Sequence, residues 1–127
     1  MKDFRTPLNK SIGLGSAKHG TDHFWRQRLT AFANVPLFIF FIILLIMLVG
    51  KDYATVISYL SNPIIAVVMA VMVIAGIYHM KLGMQVIIED YFPNHYLRVF
   101  ILSLNIFFCF IMGAACLFAL VKIALGG

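Results

Sequence analysis

The segment FIFFIILLIMLVG (residues 38–50) decides the fold class. It ends an uncharged run over residues 29–50, which is long enough to cross roughly 30 Å of hydrocarbon as a helix. The rest of the chain has the same character, since 62% of its 127 residues are hydrophobic and only 12% are charged. A water-soluble domain of this length does not need so much apolar surface. The sequence therefore predicts an all-α integral membrane protein without a separate soluble catalytic domain.

Two further apolar runs predict two more membrane helices. Asn62-Pro63 is typical of a helix N-cap followed by proline at the first helical position. Phe92-Pro93 ends the same helix, because the residue before a proline avoids helical geometry. We also expect Pro36 to kink the first helix. The predicted organisation is a polar N-terminal segment on the inner face and one three-helix membrane domain, over residues 1–28 and 29–122, with spans at about 29–50, 63–88 and 99–121.

The basic residues predict the orientation of these helices. The net charge is +5, and six of the ten Lys and Arg residues precede residue 29. The loop at 50–62 offers only Lys51, which stands beside Asp52. The positive-inside rule then places the N-terminus and loop 89–98 inside, and loop 50–62 and the C-terminus outside, although Lys122 opposes this weakly. The basic charge is thus a topology signal and not a nucleic-acid patch.

One face of the second helix, within HMKLGMQVIIEDY (residues 79–91), carries a polar pattern. His79 and Asp90 are eleven residues apart, or about three turns plus 20°, so they share a face about 16 Å apart along the axis. Gly76 and Gly83 share that face at i−3 and i+4 from His79. An imidazole between two missing side chains suits a large flat ligand such as haem. It equally suits a histidine that hydrogen-bonds to a neighbouring helix, and the geometry alone leaves both readings open.

A second polar stripe on this helix consists of Lys81, Gln85 and Glu89, spaced by four residues. Lys81 lies about 200° from His79, on nearly the opposite side. We expect its ammonium group to snorkel, or to meet a carboxylate or carbonyl of a partner. Any chemical role of this stripe stays open.

The inner ends of the first two helices carry three further candidates. Asp90 and Tyr91 end the second helix, where a solvated charge and an interfacial tyrosine are also ordinary features. The predicted topology puts Arg28 at the same level. Its planar guanidinium group could clamp an anionic group, or could only satisfy the positive-inside rule.

Taken together, these residues resemble the hydrophobic D-type membrane-anchor subunits of succinate dehydrogenase (respiratory complex II). The resemblance rests on the pattern His79-x3-Gly83-x6-Asp90-Tyr91 and on the approach to the first span, GSAKHGTDHFWRQRLTAF, above all Arg28-Leu29-Thr30-Ala31. The chain length and the three-span layout agree with that family. The similarity covers essentially the whole chain and is greatest to the alphaproteobacterial and mitochondrial branch.

The resemblance implies a specific function. Such a subunit anchors a flavoprotein and an iron–sulfur subunit, which carry FAD and iron–sulfur clusters, at the inner face of the bacterial or mitochondrial inner membrane. Together with a second hydrophobic anchor subunit it binds one haem b, and each anchor supplies one axial histidine. His79 matches this subunit's ligand to the haem iron, and Arg28 matches an arginine near the haem propionates. Tyr91 and Asp90 match the tyrosine and the acidic residue of the ubiquinone site. The subunit has no activity alone.

Two other classes of function compete with this one. A small ion-coupled or proton-coupled transporter would use Lys81, Glu89 and Asp90 as its membrane charges, but such a protein favours a carboxylate deep in the membrane. Both carboxylates of the second helix lie at its end. A non-redox membrane scaffold would have no need for His79.

Overall fold

The computed structural model describes the backbone of residues 17–126 and the side chains of residues 21–126. In that part of the chain the architecture is all-helical, with α1 at Ala17–Leu48, α2 at Tyr53–Leu60, α3 at Pro63–Tyr91 and α4 at His95–Ala124. Three stretches are long and apolar enough to cross a membrane, namely Thr21–Leu48, Pro63–Tyr91 and His95–Ala124. The predicted fold class is therefore confirmed. Of the predicted N-terminal segment, residues 1–16 lie outside the described part of the chain.

Helix α1 begins at Ala17 and not at the start of the predicted span. Charged residues such as Arg26 and Arg28 limit the part of a helix that can enter hydrocarbon, but they do not end the helix itself. The helix continues through Pro36, which removes one backbone hydrogen-bond donor. It ends at Leu48, followed by Gly50 with a φ of 76°, a left-handed conformation that glycine adopts without steric cost.

Helix α3 has the boundaries that its flanking prolines predict. The Asn62 side chain accepts hydrogen bonds from the main-chain N–H groups of Ile64 and Ile65, at 3.0 and 3.5 Å. Pro63 occupies the first turn, where a missing N–H is harmless. The helix runs to Tyr91, three residues past the predicted end of the span, before Phe92 turns extended.

The predicted outer loop contains a short helix, α2, over residues 53–60. The hydroxyl oxygen of Ser61, directly after it, lies 2.7 Å from the main-chain carbonyl oxygen of Ile57 and 3.2 Å from that of Ile123. The corner between α2 and α3 thus lies against the last turn of α4. The short loop before α4 contains Asn94, whose side chain caps α4 by accepting from the N–H of Leu97 at 3.2 Å.

Helix α3 lies in the middle of the fold and packs against both α1 and α4. The buried side chains are Leu44 of α1, Leu82 and Ile88 of α3, and Cys109 of α4. Most other apolar side chains face outward; Phe32 and Phe110, for example, are 77% and 74% exposed. Outward apolar surface of this extent requires lipid or partner helices around the three spans.

Candidate functional site

The central candidate, His79, lies in the second half of α3 and is half-buried against α1. Its Nδ1 atom is 3.0 Å from the hydroxyl oxygen of Thr30. The same hydroxyl lies 2.8 Å from the main-chain carbonyl oxygen of Arg26 and 3.0 Å from that of Gln27, one turn earlier in α1. The imidazole is thus attached to the backbone of α1 through one threonine. The other ring nitrogen, Nε2, makes no hydrogen bond within the described part of the chain.

The two glycines on the His79 face have different surroundings. A Cβ atom added at Gly76 would meet nothing within 4 Å. A Cβ atom added at Gly83 would lie 3.7 Å from the side-chain nitrogen of Gln27. Gly83 therefore lets α1 approach, whereas the backbone at Gly76 has open space beside it.

Arg28 lies on the same side of the α1–α3 pair as Gly83. The two residues line one cavity of about 430 Å³, together with Phe24 and Val86. The guanidinium carbon is 4.7 Å from the centroid of the Phe24 ring, a cation–π distance. Because Gly83 follows His79 by one turn on the same face, the structure brings Arg28 into the neighbourhood of His79, on the side of the C-terminal end of α3.

Asp90 and Tyr91 are the last two residues of α3, and both are exposed; Tyr91 retains 78% of its accessible surface. They lie about 16 Å along the axis from His79. Within residues 21–126, no hydrogen bond or ring contact joins either of them to Arg28. The structure thus separates the candidates into a histidine site in the middle of α3 and an exposed pair at its end.

Sequence reasoning did not single out the side chains of α1 that face α3. His23, Gln27 and Thr30 follow one another at i, i+4 and i+7, the spacing of one helix face. Within the part of the chain that the structure describes, the Nε2 atom of His23 and the Oε1 atom of Gln27 are buried without a hydrogen-bond partner. The His23 side chain therefore points into the helix pair. The i, i+4, i+7 spacing is the signal that could have identified this face.

The opposite side of α3 holds the second polar stripe. The Lys81 ammonium nitrogen lies 5.8 Å from the centroid of the Tyr78 ring, and Arg26 donates to the Tyr78 hydroxyl at 3.5 Å. Gln85 donates to the Glu89 carboxylate at 2.9 Å. Gln85 and Glu89 thus pair with each other, whereas the ammonium group of Lys81 lies beside the ring of Tyr78 and makes no hydrogen bond within residues 21–126.

Comparison with known proteins identifies the family. The family model of the succinate dehydrogenase/fumarate reductase transmembrane subunit matches residues 2–113. The chain is similar to proteins named succinate dehydrogenase hydrophobic membrane anchor subunit from several alphaproteobacteria. The protein from Paracoccus denitrificans is 31% identical over 121 residues, covering 95% of this chain and 93% of the relative. The protein from Rickettsia bellii (strain RML369-C) is 36% identical over 96 residues, covering 76% and 77% of the two chains.

A third relative, from Rickettsia conorii (strain ATCC VR-613 / Malish 7), is 30% identical over 119 residues, covering 93% of this chain and 94% of its own. No solved structure matches the chain. The relatives confirm the resemblance that the motifs around Arg28 and His79 indicated. The chain belongs to the succinate dehydrogenase/fumarate reductase transmembrane subunit family.

Proposed function

We propose that this chain is the hydrophobic membrane anchor of a succinate:ubiquinone oxidoreductase. It holds the flavoprotein and iron–sulfur subunits at the inner face of the membrane, shares one haem b with a second anchor subunit and contributes to the ubiquinone site. The observation that carries the proposal is His79 itself. It is a half-buried intramembrane histidine with one nitrogen bonded to α1 and the other without a partner among residues 21–126, in a family whose name is that of a redox enzyme.

The residues around His79 fit a haem. The Nε2 atom of His79 would be free to hold the haem iron, and the backbone at Gly76, one turn away, has open space beside it. Arg28 lies toward the inner side, where its fork can hold a propionate. His79 supplies one ligand, so the second axial histidine comes from the other anchor subunit. When bound, the haem supplies a one-electron redox centre.

The ubiquinone site is proposed at the inner end of α3. Reduction of a quinone to a quinol takes two electrons and two protons, so the site must reach the aqueous edge. Tyr91 can donate its hydroxyl proton in a hydrogen bond to a quinone oxygen, where negative charge develops as electrons arrive. Asp90 can orient Tyr91 or a water, or pass protons from the aqueous side. The exposure of both side chains leaves them free for the quinone and for the partner subunits.

The inner face of the membrane is proposed as the location of Arg28, Asp90 and Tyr91. The N-terminal half of α1 carries Arg26 and Arg28, whereas the corner after α1 carries only Lys51 beside Asp52. This distribution supports a cytoplasmic N-terminus in a bacterial inner membrane, or the equivalent orientation in a mitochondrion. The outward apolar faces of α1 and α4 supply surface for lipid and for the second anchor subunit.

The competing functions gain no support from these contacts. A transporter would bind its ion at a carboxylate deep in the membrane. Glu89 lies near the end of α3 and accepts a hydrogen bond from Gln85, while Lys81 lies over the ring of Tyr78. A scaffold without redox chemistry leaves the free Nε2 atom of His79 and the open space at Gly76 without a purpose.

The test is an optical spectrum of the detergent-purified complex, co-expressed with its neighbouring subunits, before and after addition of succinate. We expect a b-type haem spectrum together with succinate:quinone reductase activity in the same fraction. His79→Ala is expected to remove the haem signal. His95→Ala is the matched control, because His95 is exposed and its ring contacts only Tyr96. A colourless wild-type complex, or haem retained by His79→Ala, would overturn the haem assignment.

A further inference from the structure

Three polar atoms lie within hydrogen-bond distance of the Thr30 hydroxyl group, which has one proton to donate. They are two carbonyl oxygens of α1, on Arg26 and Gln27, and Nδ1 of His79. A threonine hydroxyl carries one proton and can accept with its lone pairs. A carbonyl oxygen cannot donate, so a short contact between it and the hydroxyl is favourable only when the hydroxyl proton points at it. Nδ1 of a neutral imidazole, by contrast, can supply a proton of its own.

The positions of the Thr30 hydroxyl proton and of the His79 ring proton follow from these contacts. The contact to the Arg26 carbonyl, at 2.8 Å, is the shortest of the three, and this back-bond to residue i−4 is common for threonine in a helix. The Thr30 hydroxyl therefore donates to α1, and the Nδ1–H group of His79 donates to Thr30 at 3.0 Å. The neutral ring then carries its proton on Nδ1 and its lone pair on Nε2.

We propose that Thr30 is a positioning residue for the haem ligand. Its oxygen holds His79 as the Nδ1–H tautomer, fixes the plane of the ring, and directs the Nε2 lone pair toward the iron. The inference rests on the proposed haem function of His79. A hydrogen bond on the second nitrogen of a ligating histidine is how proteins set the tautomer, the orientation and the basicity of such ligands.

The same bond couples the two helices that face the proposed haem. Thr30 follows Arg28 by two residues in α1, and among residues 21–126 its hydrogen bond to α3 is the one to His79. A change at Thr30 thus moves the imidazole relative to the guanidinium group of Arg28. It also removes the hydrogen bond that makes the ring a stronger electron donor. A weaker donor stabilises ferric iron less, so the midpoint potential shifts upward when the hydroxyl is lost.

The experiment compares Thr30→Val with Thr30→Ser in the assembled complex. Valine keeps the shape and removes the hydroxyl, whereas serine keeps the hydroxyl and removes a methyl group. The readouts are haem per flavin, the midpoint potential from an optical redox titration, and the low-spin ferric signal in electron paramagnetic resonance. We expect Thr30→Val to lower haem affinity roughly ten- to hundred-fold, to raise the potential and to change the ferric signal. Thr30→Ser should restore all three.

Thr55→Val is the matched control, because Thr55 lies in α2 and its hydroxyl bonds to Asp52 at the other end of the fold. A wild-type potential and ferric signal in Thr30→Val would overturn the inference. So would a Thr30→Ser variant as impaired as Thr30→Val, because packing and not the hydroxyl would then matter. Haem that is retained by His79→Ala would overturn the proposed function itself. If His79→Ala loses haem and Thr30→Val keeps it as in the wild type, only the role of Thr30 is wrong.

A measurement without haem tests the tautomer directly. The full-length chain, labelled with nitrogen-15 in its histidines and placed in lipid nanodiscs, gives ring-nitrogen shifts that distinguish a protonated from an unprotonated nitrogen. The His79 signals are identified by their loss in His79→Ala. We expect a protonated Nδ1 and an unprotonated Nε2, and a mixture of tautomers in Thr30→Val. A protonated Nε2 in the wild-type chain would contradict the proposal.

Discussion

The side-chain amide of Asn105 in α4 donates a hydrogen bond to the main-chain carbonyl oxygen of Lys81 in α3, at 3.1 Å. The carbonyl oxygen of the same amide lies 3.6 Å from the thiol of Cys109, one turn later in α4. The bond joins the two most extensively packed helices two residues after His79, on the opposite side of α3. The Asn105 bond therefore holds α4 against the side of α3 that is opposite the proposed haem ligand.

Asn105→Leu is therefore expected to loosen α4 against α3. Hydrogen bonds between membrane helices are worth about 0.6 kcal/mol on average and up to about 1.7 kcal/mol, so we expect a loss of stability in that range. The measurement is unfolding of the chain by sodium dodecyl sulfate in mixed micelles. Ser103→Ala is the control, since the Ser103 hydroxyl bonds only to the Val99 carbonyl of its own helix. Equal stability of both variants would contradict a role for the Asn105 bond in helix packing.

Tyr91→Phe is predicted to separate quinone chemistry from haem binding. The change removes one hydroxyl from an exposed side chain, so the fold and the haem content should stay as they are. Loss of a single donor to a developing oxyanion lowers turnover by about a hundredfold or more. The assay is succinate:quinone reductase activity, with succinate oxidation by an artificial electron acceptor measured in parallel. The latter should stay unchanged, because it does not use the quinone site.

Tyr96→Phe is the matched control for that experiment. Tyr96 is 86% exposed and stands in the first turn of α4, near the same end of the fold as Tyr91. Its loss should leave quinone reduction as in the wild type. If Tyr91→Phe also reduced quinone at the wild-type rate, the assignment of Tyr91 to the quinone site would be wrong.

Arg28→Gln is expected to lower haem retention while the chain still assembles with its partners. The Arg28 side chain is exposed, and within residues 21–126 its guanidinium group makes no hydrogen bond and lies over the ring of Phe24, so the fold loses little. A propionate would lose a planar, two-pronged donor, and Arg28→Lys should recover only part of the haem because an ammonium group cannot make both bonds. Haem per flavin in the purified complex is the readout.

Arg26→Gln provides the comparison. Arg26 is two residues away in the same helix, but its guanidinium group donates to Tyr78 on the other side of α3. A specific role of Arg28 predicts a haem deficit in Arg28→Gln and none in Arg26→Gln. Equal deficits in the two variants would point to a general effect of positive charge at the inner surface.

The sequence predicts contacts between residues that are close along the chain, but not contacts between residues that are far apart along it. The ends of α3 follow from Asn62-Pro63 and Phe92-Pro93, because caps and prolines act within a few residues. The opposite faces of His79 and Lys81 follow from the helical repeat alone. The bond between Thr30 and His79 joins residues 49 positions apart, so it depends on how α1 packs on α3.

Two helix ends do not coincide with the limits of the apolar runs. The first uncharged run begins at residue 29, directly after Arg28. Helix α1 nevertheless begins at Ala17, because polar residues can form a helix outside the membrane as well. The predicted loop over residues 50–62, which precedes the cap at Asn62-Pro63, contains the short helix α2. Hydropathy locates the hydrocarbon boundary, while the ends of a helix are set by its caps.

The carboxyl group of Asp52, at the corner before α2, should titrate at an unusually low pH. The Thr55 hydroxyl donates a hydrogen bond to this carboxylate and lowers the pKa of Asp52 below its ordinary value. A lowered pKa in the folded chain means that the contribution of Asp52 to the stability of this corner is present above its unfolded pKa of about 3.9 and is lost as the pH falls further. Thr55→Val should bring the pKa back toward the ordinary value. The measurement is the carboxyl carbon-13 shift of Asp52 against pH.

The orientation of the chain can be tested with two cysteine substitutions at opposite ends of the fold. Tyr53 opens α2 and Tyr96 lies at the start of α4; they are 80% and 86% exposed. The positive-inside distribution predicts that Tyr53→Cys faces the outside and Tyr96→Cys the inside. In intact cells, a membrane-impermeant maleimide should label Tyr53→Cys alone, and inverted vesicles should give the reverse.

The wild-type chain sets the background from Cys109 and Cys116, which lie within the span of α4. Labelling of Tyr96→Cys in intact cells would place Arg28, Asp90 and Tyr91 at the outer face, and it would exclude a quinone site that faces partner subunits on the inner side.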